Sequence, residues 1–283
     1  MPRPFPFSEP TRALIGLALT EDLYAGDVTT DAIFDDDAMT AARLVAKAPL
    51  VLSGSAMVDE VFARVAGEVS VTWSVDDGAR VQPGTVLATI EGRVRSVLRA
   101  ERIALNFLRH MSGVATITRQ YVDVLGPDGP ALVDTRKTTP GFRELEKYAV
   151  RCGGGKNHRY NLAGGAMIKD NHIAAAGSIA EAVAKVRAHA PFLLRIEVEV
   201  TTMDELRQAI EAGADAVLLD NMTTDAMAEC VRYVDGRAIV EASGNITHAR
   251  LEELRGIGLD VISSGAITHS APNADISLLI GQA

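Results

Sequence analysis

The feature that most constrains this chain is a repeat. From Ala131 onward a short apolar strand, a polar tip and an amphipathic helix follow one another, with tips reading ALVDTRK, MIKDN, IEVEV, VLLDN, IVEASGN and VISSG. Helix-compatible segments such as 204–212 and 247–256 lie between tips. A helix between two strands returns the chain to the same end of the sheet, so the strands run parallel, and sustained alternation predicts a β/α barrel. Six strands are legible, with room for one or two more. In such barrels the chemistry gathers on loops at the carboxyl ends of the strands.

Those tips are charged and sorted by sign. Arg136, Lys137 and Lys169 fall on the early ones, Glu199, Asp220 and Glu241 on the later ones. A strand must end in something polar, which accounts for one or two charged tips but less readily for six. Between Arg136 and Lys169 eight Lys or Arg stand against two Glu, in a chain whose formal net charge is -9. With the glycine run 153–155 and His158, this basic segment reads as a site for a ligand bearing two or more carboxylates or phosphates. GGGKNHR fits neither the P-loop nor the dinucleotide fingerprint, and a glycine loop with solvated basic residues is the plainer alternative. Glu199 and Asp220 could share a hard cation such as magnesium, or simply pair with nearby Lys or Arg. Ser243-Gly244-Asn245 and Ser264-Gly265 offer hydroxyls and close amides ahead of helices, a common phosphate cradle.

The first half lacks this rhythm and reads as an α+β unit. A helix capped by Ser8, with Pro10 in its first turn, is expected to about residue 19. Strands are expected at 41–46, 69–73 and 86–90, and a helix at 57–65. A long helix starts near Val94; Val97, Leu98, Leu105 and Leu108 keep its apolar period, while Arg95, Arg99, Arg102, Asn106 and Arg109 form another face, which reads as solvated. VDDGARVQPGTVLATIEG looks like a biotinyl or lipoyl carrier, but no lysine occurs between Lys47 and Lys137, so only the hint of a small β-rich layer survives.

With 47% apolar residues the chain can bury a barrel-sized core and a smaller one. Its net negative charge disfavours nucleic acid and anionic membrane surfaces as partners. Two cysteines, Cys152 and Cys230, give no disulfide framework or zinc spacing. The start MPRPFPFSEP has no apolar core of a signal peptide and no run is long enough to span a bilayer, so a cytoplasmic protein is expected.

EDLYAGDVTT, ERIALNFLRHMSGVATITR, DTRKTTPGFR, GGGKNHR, MIKDNHI, EVEV, LLDN, EASGNI and SSGAITHSAP occur in this order over nearly the whole chain. In these motifs it resembles the quinolinate phosphoribosyltransferases. The resemblance implies an N-terminal α/β sandwich domain over 1–112 and an incomplete α/β (TIM-like) barrel over 113–283, whose last residues are candidates to pack back on the first domain. It implies transfer of phosphoribosyl from phosphoribosyl diphosphate to quinolinate, with magnesium carried on the diphosphate. A homodimer with shared sites is implied, Arg102 reaching the neighbouring one, with further assembly left open. By the same carry-over Arg136, His158, Arg159 and Lys169 surround the quinolinate carboxylates and Lys137 contacts the phosphoribosyl diphosphate. Glu199 and Asp220 hold magnesium and the ribose hydroxyls, and Ser243, Gly244, Gly265 and His269 hold the sugar phosphate. Lys137, Lys169, Glu199 and Asp220 form the implied catalytic set. Departures are small: the family often has an apolar residue where Ser264 stands and a second glycine where Asn245 stands. A paralogue acting on another heteroaromatic carboxylate and a non-catalytic phosphate-binding barrel are the alternatives.

Overall fold

A computed structural model describes residues 7–65 and 69–281; the first six residues, on which the reading of the N-terminal segment partly rests, lie outside them. In chain order the elements are α1 Glu9–Leu23, α2 Val28–Ile33, β1 Met39–Ala46, β2 Leu50–Val51, α3 Ser55–Val65, β3 Ser70–Trp73, β4 Arg80–Val81 and β5 Val86–Arg93. They continue with α4 Val94–Leu125, β6 Ala131–Val133, α5 Arg143–Cys152, β7 Ala166–Ile168, α6 Asp170–Ala176, α7 Ile179–His189 and β8 Ile196–Val200. The rest are α8 Met203–Glu211, β9 Ala216–Asp220, α9 Thr224–Val234, β10 Ile239–Ser243, α10 His248–Leu254, β11 Val261–Ser263, α11 Ala266–His269 and β12 Ile276–Ile280.

These elements form two compact units. One holds the described residues up to Arg119 with Thr138–Gly154 and the segment from Ser270; the other holds Gln120–Lys137 and Gly155–His269. The chain changes unit at 119/120, 137/138, 154/155 and 269/270, so that the segment from Ser270 belongs with the first unit. The reasons are local. Strand β12 pairs antiparallel with β1, and on α5 Tyr148 donates to Asp77 at 2.8 Å.

The first unit is built on the antiparallel sheet β12-β1-β5-β3, with β2 and β4 as a separate pair. Helix α3 buries Met57, Val58, Val61 and Phe62, the side that its 3.6-residue period makes apolar. Helix α1 is capped as expected, Thr11 N donating to Ser8 Oγ at 3.5 Å. It continues four residues past 19, because no Pro or Gly interrupts it there. The arginine face of α4 is not simply solvated. Arg95 donates to Phe34 O at 2.8 Å and pairs with Asp36, Arg99 pairs with Asp31, and Arg109 donates to Ala274 O at 2.9 Å. These bonds tie α2 and the C-terminal segment to α4.

The second unit is the six-stranded parallel sheet β6-β11-β10-β9-β8-β7. Its six strands are those legible in the tips. Beyond them, Lys156 makes an isolated parallel bridge to Val133, continuing the order past β6. Four of the helices are capped by the residue before them: Ser178, Thr202, Thr223 and Thr247 accept from the amide three residues on. At the opposite strand ends Asp215 accepts from Ile196 N at 2.8 Å and Asp260 from Val240 N at 2.8 Å. The same device thus fixes two neighbouring strand pairs. Among the described residues no helix is long and apolar enough to cross a membrane.

Candidate active site

The carboxyl ends of the barrel strands line one cavity. Arg136 and Lys137 follow β6, Lys169 follows β7, Glu199 lies on β8, Asp220 ends β9, and Ser243 ends β10 with Gly244 after it; His158 and Arg159 complete the set. Nine expected site residues therefore converge. Parallel register explains it, since Val198 pairs with Ile168 and Asp220 with Ser243, which puts successive tips at one level.

Gly265 and His269 sit beside Lys137. A Cβ on Gly265 would lie 3.1 Å from Lys137 Cδ and 3.2 Å from the His269 ring. Thr268 Oγ1 donates to Lys137 O at 2.8 Å, fixing α11 against the first tip. Arg102 is elsewhere: on α4 in the first unit, it lines a cavity with Leu14, Asn106, His110 and Phe142.

Electrostatics differ from tip to tip. Burial first, then the neighbouring Arg136, push Arg159 below its usual guanidinium value. Lys169 Nζ makes an ion pair with Glu199 Oε2. Deeper in the barrel His158 Nε2 lies 3.2 Å from Glu197 Oε2 and 3.5 Å from Glu241 Oε2. Hydrogen bonds to Glu197 and then Glu241 raise His158 from 6.5 to about 9, against its burial. Burial raises Glu197 in turn. The other ring nitrogen, Nδ1, accepts the Arg159 N–H at 2.7 Å. Both nitrogens of His158 are thus used by the protein itself.

Several residues that matter were not singled out from the sequence. Asp134, fully buried, accepts from Asn157 Nδ2 at 2.7 Å and from His158 N at 2.8 Å, so it seats the GGGKNHR strand beside β6. Its signal was available as the acid before TRK. Glu197 could have been found from the alternation in EVEV, which puts it two residues from Glu199 on the same side of β8. Asn221 and Asn245 have φ of 53 and 46, left-handed values that Asn tolerates, which accounts for an Asn where the family often has glycine. Gly244, at φ +95, lies so close that a Cβ would fall 2.1 Å from Asn221 Oδ1.

The glycine run needs a correction. Gly153 does not line the cavity but lets α5 approach α4, where a Cβ would lie 2.5 Å from Ala115 O and 2.6 Å from Thr118 Cβ. Helix packing, not anion binding, requires that glycine.

Comparison with known proteins places the chain. Its residues 27–112 match the N-terminal domain of quinolinate phosphoribosyl transferase and residues 114–279 match the C-terminal domain. The chain belongs to the quinolinate phosphoribosyltransferase family. It is 42% identical over 267 residues to a probable carboxylating nicotinate-nucleotide pyrophosphorylase of Bacillus subtilis, covering 94% of this chain and 92% of that one. It is 37% identical over 288 residues to a decarboxylating quinolinate phosphoribosyltransferase of Nicotiana tabacum, covering 95% and 82%. The solved structure of NadC from Streptococcus pyogenes superposes with a TM-score of 0.91 at 43% identity, covering 96% and 97%. The α/β sheet unit and the parallel-strand α/β unit are therefore those of this family.

Proposed function

We propose that this chain transfers the phosphoribosyl group of phosphoribosyl diphosphate to quinolinate, releasing diphosphate and carbon dioxide and leaving nicotinate mononucleotide. The observation that carries the reading is one cavity in which Arg136, Lys137, Arg159 and Lys169 stand against Glu199 and Asp220. Four cations suit two polyanionic substrates. Two carboxylates suit ribose hydroxyls and a hard cation, so magnesium enters as part of the diphosphate substrate.

The pyridine nitrogen of quinolinate already carries a lone pair, so attack on the anomeric carbon requires no general base. The C–N bond forms as the bond from that carbon to the diphosphate oxygen breaks. What the protein supplies is position and charge: Arg136, Arg159 and Lys169 hold the dicarboxylate, and Lys137 meets the departing diphosphate. Glu199 stabilises positive charge developing on the sugar. Once the ring nitrogen is quaternary it accepts the electrons left when the adjacent carboxylate departs as carbon dioxide, and that ring carbon takes a proton. His158, tied at both nitrogens, orients its neighbours rather than donating to substrate.

We further propose a homodimer in which Arg102 serves the neighbouring site. The free thiols Cys152 and Cys230 suit a reducing compartment, the cytoplasm. The reaction is tested by giving the purified protein quinolinate, phosphoribosyl diphosphate and magnesium, with nicotinate in parallel. Equal amounts of diphosphate and carbon dioxide with quinolinate alone are expected; turnover of nicotinate, or of neither acid by folded protein, would overturn the assignment.

A further inference from the structure

We infer that the Lys169–Glu199 ion pair is a latch coupling the two substrates, each binding more tightly once the other is in place. The inference rests on the substrate assignment proposed above.

Ile168 pairs with Val198 across β7 and β8, so residues 169 and 199 stand level on adjacent strand tips. Their side chains meet, with Lys169 42% exposed and Glu199 18% exposed, both lining the cavity. In this arrangement each charge is spent on the other. An aromatic dicarboxylate needs the ammonium of Lys169, whereas a sugar diphosphate carrying magnesium needs the carboxylate of Glu199. Whichever ligand arrives first must open the pair, and the second meets a charge already released. Arg136 and Arg159 give the dicarboxylate a foothold while the pair is still closed. Coupling of this kind is reciprocal: the factor by which one ligand tightens the other is the same in both directions.

An ion pair partly in solvent limits the factor to about fivefold. The test is calorimetric titration of the full chain with quinolinate, alone and with saturating magnesium and a non-hydrolysable carbocyclic analogue of phosphoribosyl diphosphate. Wild type is expected to bind quinolinate about three- to fivefold more tightly with the analogue present. Glu199→Gln, which loses the charge but keeps the shape, is expected to bind quinolinate alone more tightly than wild type by about the same factor and to lose the dependence on analogue. Lys169→Met is the mirror case, binding the magnesium analogue alone more tightly. Equal quinolinate affinity in wild type with and without analogue overturns the latch, as does failure of both variants to tighten their remaining ligand. If wild type and variants bind neither ligand, the substrate assignment falls, and the latch with it.

Discussion

Nε2 of His158 lies 3.2 Å from Oε2 of Glu197 inside the barrel, while the other ring nitrogen accepts the Arg159 amide. With Glu241 at 3.5 Å the two carboxylates favour a second proton on the ring, raising it from 6.5 to about 9. Taking that proton at Nδ1 costs the Arg159 contact, which opposes the rise. A raised value means the folded chain binds the proton more tightly than the unfolded one. The resulting stability is complete below 6.5 and is lost as pH rises through the folded value toward about 9. Imidazole titration by NMR is expected to give a midpoint well above 6.5, lowered by Glu197→Gln and by Glu241→Gln; a wild-type midpoint at 6.5 would dismiss the arrangement.

Lys137 and Glu199 stand on the first tip and on β8, facing one cavity. A charge-assisted hydrogen bond realised in the transition state contributes roughly 1.5–3 kcal/mol, about one to two decades in rate. Lys137→Ala and Glu199→Ala are each expected to lose at least that in kcat/KM with unchanged thermal unfolding. Near-normal kinetics in either variant would remove that residue from the site.

The strand tips were the legible part of this molecule. Parallel strands need buried apolar runs, and a run must end in polar residues, so β6 to β11 and the charges of Lys137, Lys169, Glu199 and Asp220 could be read directly. Asp134 and Glu197 were harder, because what they do is decided by partners distant in sequence: Asn157 and His158 for one, His158 for the other. The same holds for the arginines of α4. Periodicity put Arg95 and Arg99 on a polar face, but only the fold brings Asp31 and Asp36 to them. Glycine was the most ambiguous residue. Gly153 packs against a helix and Gly244 against Asn221, and a sequence does not tell close packing from ligand approach.

Glu146 gives a stability prediction in the first unit. Its fully buried carboxylate lies 2.9 Å from His110 Nε2 and accepts the Thr139 amide at 3.1 Å. His110 in turn lies edge-on to Phe142, ring centroids 5.2 Å apart. Removing the carboxylate takes a partner from two part-buried groups, His110 Nε2 and the Thr139 N–H, and leaves a void besides. Glu146→Ala is expected to cost about 3 kcal/mol in denaturant unfolding at pH 7. Glu146→Gln, which keeps one acceptor and the volume, should cost less than half of that. Equal losses would mean that the charge and the second acceptor oxygen, not the volume, are what matter here.

The role of Arg102 separates two arrangements of the proposed homodimer. It lies exposed on α4, beside Leu14, Asn106 and His110, and does not line the cavity that holds Lys137, Lys169 and Glu199 in its own barrel unit. If Arg102 serves the neighbouring subunit, then Arg102→Ala and Lys169→Ala spoil sites through different chains. Mixing the two inactive variants and allowing exchange produces hybrid dimers with one doubly damaged site and one intact site. Random exchange makes about half of all dimers hybrids, so about a quarter of wild-type activity should return. If Arg102 serves its own subunit, every site in every dimer still lacks one residue and nothing returns. With exchange followed independently by mass spectrometry of intact dimers, the activity of the mixture distinguishes the two arrangements, because only a shared site can be rebuilt from two defective chains.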